Sequence, residues 1–94
     1  MAHPATAVTQ FEINDDVVAR SVGDETVLLA LDTGIYFTLN PVGTLVWRGL
    51  ESAASLEKIV EQIVSEYDVP PAEAEADVAA LLRDLAKSGL ATSK

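Results

Sequence analysis

The first half of the chain alternates apolar and polar positions with the period of two that is typical of β-strands. Residues 11–13 alternate, the β-branched run Val17–Val22 follows, and a second apolar run covers residues 25–31. A third run, Ile35–Leu39, comes after the turn residues 32–34. Because short turns join consecutive strands, the pattern predicts an antiparallel meander of two or three strands, with the third at an edge.

At Asn40 the apolar period changes from 2 to about 3.6 residues, which is typical of amphipathic helices. Asn40 suits an N-cap, and Pro41 suits the first helical position, where its missing N–H costs nothing. A first helix is therefore predicted over residues 41–50. Its inner face is expected to carry Val42, Leu45, Val46 and Leu50.

Two more helices are predicted in the second half of the chain. Ser55 is expected to cap the second helix, and Pro71 to open a third that runs to about residue 88 and ends at Gly89. The prolines at 70 and 71 leave this third helix without a side-chain N-cap. The predicted apolar stripes are Leu56, Ile59, Val60, Ile63, Val64 and Tyr67 on the second helix, and Val78, Leu81, Leu82 and Leu85 on the third.

The predicted element order, three strands followed by three helices, indicates an α+β domain. Its helices are expected to pack on one side of a small antiparallel sheet. The 94 residues suffice for one hydrophobic core and not for two. We therefore expect a flexible arm over residues 1–10 and a single domain over residues 11–94.

The charge narrows the range of partners. The chain has 15 acidic and 6 basic residues and a formal charge of −9. Such a field repels phosphate backbones and anionic lipid and attracts basic partners, so neither nucleic acid nor membrane is expected as a partner. The absence of cysteine excludes disulfides and sulfur-ligated zinc and favours a cytoplasmic location.

Candidate chemistry is sparse, which favours a protein that is not an enzyme. The single histidine, His3, lies in the predicted arm, and no nucleotide, zinc-protease or serine-hydrolase motif occurs. The tripeptide at 32–34, Asp-Thr-Gly, resembles the catalytic motif of aspartic proteases, but a hairpin turn explains it better. Glu73, Glu75 and Asp77 suit the first turn of a helix better than a metal site. No cofactor and no metal are expected.

The third strand is the remaining candidate for function. An edge strand leaves alternate backbone N–H and C=O groups unpaired, and proteins usually blunt such an edge with Lys, Pro or a bulge. Ile35–Leu39 contains neither Lys nor Pro. Either this strand accepts another strand, or it is central or covered by the rest of the chain.

Several motifs together resemble the PqqD family. They are residues 31–47 (LDTGIYFTLNPVGTLVW), 66–69 (EYDV) and 74–78 (AEADV), and the resemblance spans residues 17–90. Members of this family resemble winged helix-turn-helix domains. They recognise the leader segment of ribosomally made precursor peptides, such as those of lasso-peptide or PQQ biosynthesis.

The resemblance implies a site and a set of partners. The leader would add as a strand beside Ile35–Leu39, in a groove shared with the third helix, and Asp77 could pair with a polar or basic leader residue. A separate modifying enzyme or leader peptidase would do the chemistry. Neighbours on a helix point about 100° apart, so Leu81 and Leu82 cannot both face the groove. The implied peptide-binding residues are Ile35, Tyr36, Phe37, Thr38, Leu39, Asp77, Val78, Leu81, Leu82 and Leu85.

The alternative to peptide recognition is a winged-helix DNA-binding regulator. Strands and helices of this kind also build DNA-binding domains, whose recognition helix carries an excess of Lys and Arg. From residue 70 to the end, this chain has four acidic and three basic residues. The charge therefore favours peptide recognition.

Overall fold

A computed structural model describes residues 11–93, so the predicted arm over residues 1–10 lies outside the described residues. The predicted α+β class is confirmed, with three helices and two small antiparallel sheets. In chain order the elements are β1 (Phe11–Ile13), β2 (Val17–Val22), β3 (Glu25–Ala30), β4 (Ile35–Leu39), α1 (Pro41–Glu51), α2 (Leu56–Tyr67), α3 (Pro71–Lys87) and β5 (Ala91–Ser93).

The larger sheet has three strands in the order β2-β3-β4, and both neighbouring pairs are antiparallel. A two-residue turn with Gly23 at φ 64° joins β2 to β3, and Gly34 at φ 75° ends the loop between β3 and β4. A positive φ carries no steric cost for glycine, which is why Gly23 and Gly34 were reliable signals of turns. Among the described strands β4 pairs only with β3, so its predicted edge position is confirmed.

The second sheet, formed by β1 and β5, was not predicted as such. The sequence pattern groups residues 11–13 with the strands that follow and predicts no strand after Gly89. Asn14 joins the two ends of the domain: its N–H donates to the carbonyl of Leu90 at 3.1 Å, and its side-chain oxygen accepts from the Thr92 hydroxyl at 2.8 Å. The Asn14 amide also donates to the carbonyl of Gly89.

The predicted helix ends are confirmed by their caps. The Asn40 side chain accepts from the backbone N–H of Gly43 at 2.8 Å, and Ser55 accepts from that of Lys58 at 3.1 Å. As expected, α3 starts at Pro71 without a side-chain cap, and Gly89 follows it at φ 75°. The two side-chain caps fix where α1 and α2 begin.

The core lies between one face of the larger sheet and the three helices. Along β3, Thr26, Leu28 and Ala30 are buried, whereas the residues between them are only half-buried. This alternation shows that the helices cover one face of the sheet. The buried hydrophobic residues are Leu28, Ala30, Leu39, Val46, Trp47, Leu50, Ile59, Ile63, Ala74, Val78, Leu82, Leu85, Leu90 and Ala91.

A buried hydrogen bond fixes α1 against β3. The Thr26 hydroxyl donates to the Thr44 hydroxyl at 3.0 Å, and the two residues are only 3% and 1% exposed. Replacing either threonine by valine leaves the other hydroxyl buried without this partner. We expect each single variant to lose about 1–3 kcal/mol of unfolding free energy, measured by urea denaturation.

The double variant Thr26→Val/Thr44→Val is the control for this pair. Since it removes both polar groups together, its stability should lie close to that of the wild type. Additive losses in the double variant would contradict the coupling.

Candidate functional site

The direction of the backbone groups in β3 follows from one hydrogen bond and the strand register. The N–H of Leu31 donates to the carbonyl of Asp16 at 2.8 Å, across the continuation of the β2–β3 pair. Bonding directions alternate along an antiparallel strand, so Leu29 also bonds toward β2 and Leu28 bonds toward β4. Leu28 is opposite Phe37, which therefore bonds back to β3.

The same alternation turns the backbone N–H and C=O groups of Tyr36 and Thr38 away from the sheet. Within residues 11–93, no turn, loop or side-chain hydrogen bond satisfies them. Both side chains are exposed, with Tyr36 68% exposed. Two residues of β4 thus present donors and acceptors in the geometry that an added strand requires.

A groove of about 490 Å³ runs beside this edge. Its walls are the second half of β4, the first half of α1 and one side of α3. The outward backbone groups of Tyr36 and Thr38 therefore lie along a concave surface that could receive side chains of an added strand. The lining residues are Phe37, Thr38, Leu39, Asn40, Val42, Gly43, Val46, Asp77, Val78, Leu81 and Asp84.

The rotation of α3 decides which of its side chains reach the groove. At 100° per residue, Asp77, Leu81 and Asp84 fall within about 60° of one another on the helix surface. Leu82 points about 100° from Leu81, toward the core, where it is 3% exposed. The expected conflict between these neighbours is thus resolved: Leu81 lines the groove and Leu82 belongs to the core.

The groove combines an apolar floor with negative charge. Val42, Val46 and Leu81 supply apolar surface, and Asp77 and Asp84 supply two exposed carboxylates. No basic residue lines the groove, and neither carboxylate has an ion-pair partner within the described part of the chain. An extended segment with apolar and basic side chains would complement it.

The structure brings six of the ten predicted site residues together around the groove. Ile35 and Tyr36 lie farther along β4 and are 51% and 68% exposed. Leu82 and Leu85 lie in the core at 3% and 0% exposure. The six are Phe37, Thr38, Leu39, Asp77, Val78 and Leu81.

Five lining residues were not among the predicted site residues. Asn40, Val42, Gly43 and Val46 come from the start of α1, where the sequence indicated cap and core roles. Asn40 caps α1 as predicted, and a Cβ on Gly43 would lie only 3.2 Å from Leu39 Cβ, so the lack of a side chain there permits close packing. Asp84 was detectable, because it follows Asp77 by seven residues, which is nearly two helical turns.

No metal site and no membrane span emerge from the described residues. Between residues 11 and 93, no group of three or more His, Cys, Asp or Glu side chains could hold a metal ion. None of the helices in the same range is long and apolar enough to cross a bilayer.

A protein-family model described as coenzyme PQQ synthesis protein D, PqqD, matches residues 25–91. The match covers well over half of the chain and includes β3, β4 and all three helices. The chain belongs to the PqqD family. All three walls of the groove therefore lie within the residues of this PqqD-family protein that the family model matches.

Solved structures agree with the family assignment. TbiB1 in complex with the TbiA(beta) leader peptide is 42% identical to this PqqD-family chain, with a TM-score of 0.81 over 85% of this chain and 93% of TbiB1. A lasso peptide synthetase B1 complexed with the leader peptide is 29% identical, with a TM-score of 0.80 over 87% and 96%. No curated protein matches the sequence.

Proposed function

We propose that this PqqD-family protein binds the leader segment of a ribosomally synthesised precursor peptide as an added strand beside β4. It then presents the leader to a separate modifying enzyme or leader peptidase. The outward backbone groups of Tyr36 and Thr38 on the edge strand that forms one wall of the groove carry this proposal. The two similar proteins that hold leader peptides support it.

The proposed binding mode divides the work between backbone and side chains. Tyr36 and Thr38 supply the hydrogen-bonded ladder, which holds any extended chain. Alternate leader side chains then point into the groove, because side chains alternate between the two faces of a strand. Apolar leader residues would contact Val78 and Leu81, and a basic one would pair with Asp77.

We propose that the chemistry belongs to the partner enzyme. The groove offers two carboxylates, one threonine and one asparagine, and the structure holds no nucleophile hydrogen-bonded to a base there. Similarity to a lasso peptide synthetase B1 favours a lasso-peptide precursor over a PQQ precursor. Because ribosomes make such precursors in the cytoplasm, the proposal implies that the protein acts there.

Calorimetric titration with the leader peptide of the cognate precursor tests the proposal. The expected result is saturable 1:1 binding. A duplex DNA gel shift at low salt is the comparison, since a winged-helix regulator would bind DNA instead. Tight duplex binding with no heat from the leader would overturn the proposal.

Two neighbouring leucines of α3 provide a matched pair of variants. Leu81→Ala should weaken leader binding by about 5- to 20-fold with little loss of stability, because Leu81 is half-buried and lines the groove. Leu82→Ala should lower the unfolding free energy by about 2–5 kcal/mol and leave the affinity of the folded fraction close to wild type. Calorimetry and urea denaturation separate the two effects. The reverse pattern would mean that α3 is rotated relative to this groove.

A further inference from the structure

The larger sheet has a second edge strand, β2, which the proposed function does not use. Leu31 bonds to Asp16, and bonding directions alternate along an antiparallel strand. Val18 and Leu29 therefore form a hydrogen-bonded pair between β2 and β3. The N–H and C=O groups of Ala19 and Ser21 therefore point away from the sheet. Among the described strands β2 pairs only with β3, so this edge also presents a strand-addition geometry.

A second groove, of about 760 Å³, lies beside this edge. Its floor includes Trp47 and Leu50, which are 2% and 7% exposed. It shares no lining residue with the β4 groove. The lining residues are Glu12, Ile13, Asp15, Val17, Ala19, Trp47, Leu50, Glu51 and Ala53.

The charged residues that line the β2 groove all have the same sign. Three of its nine lining residues, Glu12, Asp15 and Glu51, are acidic, and none is basic. The Glu51 carboxylate also accepts a hydrogen bond from the Trp47 indole N–H at 3.1 Å, which couples the rim of the groove to its floor. Such a surface complements a segment with basic and apolar side chains.

We propose that the β2 edge binds an extended basic segment of the partner enzyme while the leader occupies the β4 edge. This inference rests on the proposed function, since it assumes a partner enzyme. A second copy of this chain fits less well, because it would bring a charge of −9 and another acidic rim to the same surface. The three-stranded sheet would then hold the leader at one edge and the enzyme segment at the other. The two added strands would lie about 19 Å apart, because four strand spacings of about 4.8 Å separate them.

The only tryptophan in the chain provides a local reporter. Trp47 lines the β2 groove and not the β4 groove, so its emission should respond to one site alone. The probes are overlapping 12-residue peptides that tile the sequence of the cognate leader-processing enzyme. We expect at least one basic tile to change Trp47 emission saturably, and the leader peptide to leave it unchanged.

Two proline variants separate the two edges. Ala19→Pro should weaken binding of that tile by about tenfold, because it removes an outward backbone donor. Leader affinity should stay at the wild-type value, which also shows that the variant is folded. Thr38→Pro should weaken leader binding and leave tile binding at the wild-type value. Unchanged leader binding in Thr38→Pro would count against the proposed function, whereas unchanged tile binding in Ala19→Pro would count against the β2 site.

A charge-matched pair tests the acidic rim. Asp15→Asn/Glu51→Gln should weaken tile binding by about fivefold at 50 mM salt and by less than about twofold at 500 mM. Glu61→Gln/Glu66→Gln removes the same net charge from exposed positions of α2 and should have no such effect.

Four results would overturn the inference. The first is that the two charge pairs weaken tile binding equally, and the second is that no tile changes Trp47 emission. The third is that the protein self-associates and Ala19→Pro abolishes this. The fourth is that removal of residues 2–10 alters Trp47 emission. The last would assign the groove to the chain's own amino-terminal segment.

Discussion

Replacing Thr38 by proline is expected to weaken leader binding by about 10- to 100-fold without unfolding the domain. The N–H of Thr38 points away from β3, so its loss leaves the β3–β4 ladder intact. The proline ring would also occupy the space into which an added strand must move. Calorimetric titration with the leader peptide measures the affinity, and thermal denaturation reports the fold.

The matched control for Thr38→Pro is Ala19→Pro, because Ala19 also has an outward-pointing N–H, on the other edge strand. Both variants remove one outward N–H from the same sheet, but only Thr38 lies beside the β4 groove. Leader affinity should therefore differ by at least about tenfold between the two. Equal affinities would mean that the leader does not add as a strand to β4.

Gly49→Ala is expected to destabilise the domain by about 1–3 kcal/mol, which lowers the Tm by roughly 5–20 °C in a domain of this size. A Cβ at position 49 would lie 2.5 Å from Ile59 Cγ1 and 2.7 Å from its Cδ1. Ile59 is 1% exposed, so the core encloses its side chain. In an unconstrained helix, the same change would instead stabilise by about 0.5–1 kcal/mol. Thermal and urea denaturation measure the outcome.

A double-mutant cycle shows whether the contact with Ile59 is the cause. Ile59→Ala alone should cost about 2–5 kcal/mol, because it leaves a cavity between α1 and α2. Combined with Gly49→Ala, the new methyl group enters that space, so the double variant should lose less than the sum of the two single losses. Strict additivity would place the cause of the Gly49→Ala effect elsewhere.

Local signals predicted most of the fold. Asn40 and Ser55 cap their helices through hydrogen bonds to residues three positions later, so their effect is contained in a few consecutive residues. Gly34 and Gly89 have the positive φ that their turns need. The edge position of β4 followed from the order of short connections, which requires no knowledge of packing.

Features that depend on tertiary geometry were missed or left open. Strand β5 is three residues long and forms through pairing with β1 and through Asn14, 75 positions before Gly89. The choice between Leu81 and Leu82 depends on how α3 is rotated against the sheet. The position of Asp84 in the groove depends on the same rotation of α3. A single sequence shows which residues share a helix face, but not which neighbouring element that face meets.

The alternation of amide direction along β4 has a consequence for how precursors can diverge. In the proposed binding mode, Tyr36 and Thr38 pair with backbone groups that every polypeptide has, so this half of the recognition does not depend on the leader's amino-acid sequence. In the same mode, only every second leader side chain would meet the walls of the groove. A precursor could therefore accumulate substitutions at the intervening positions, and one such protein could serve a family of diverging products.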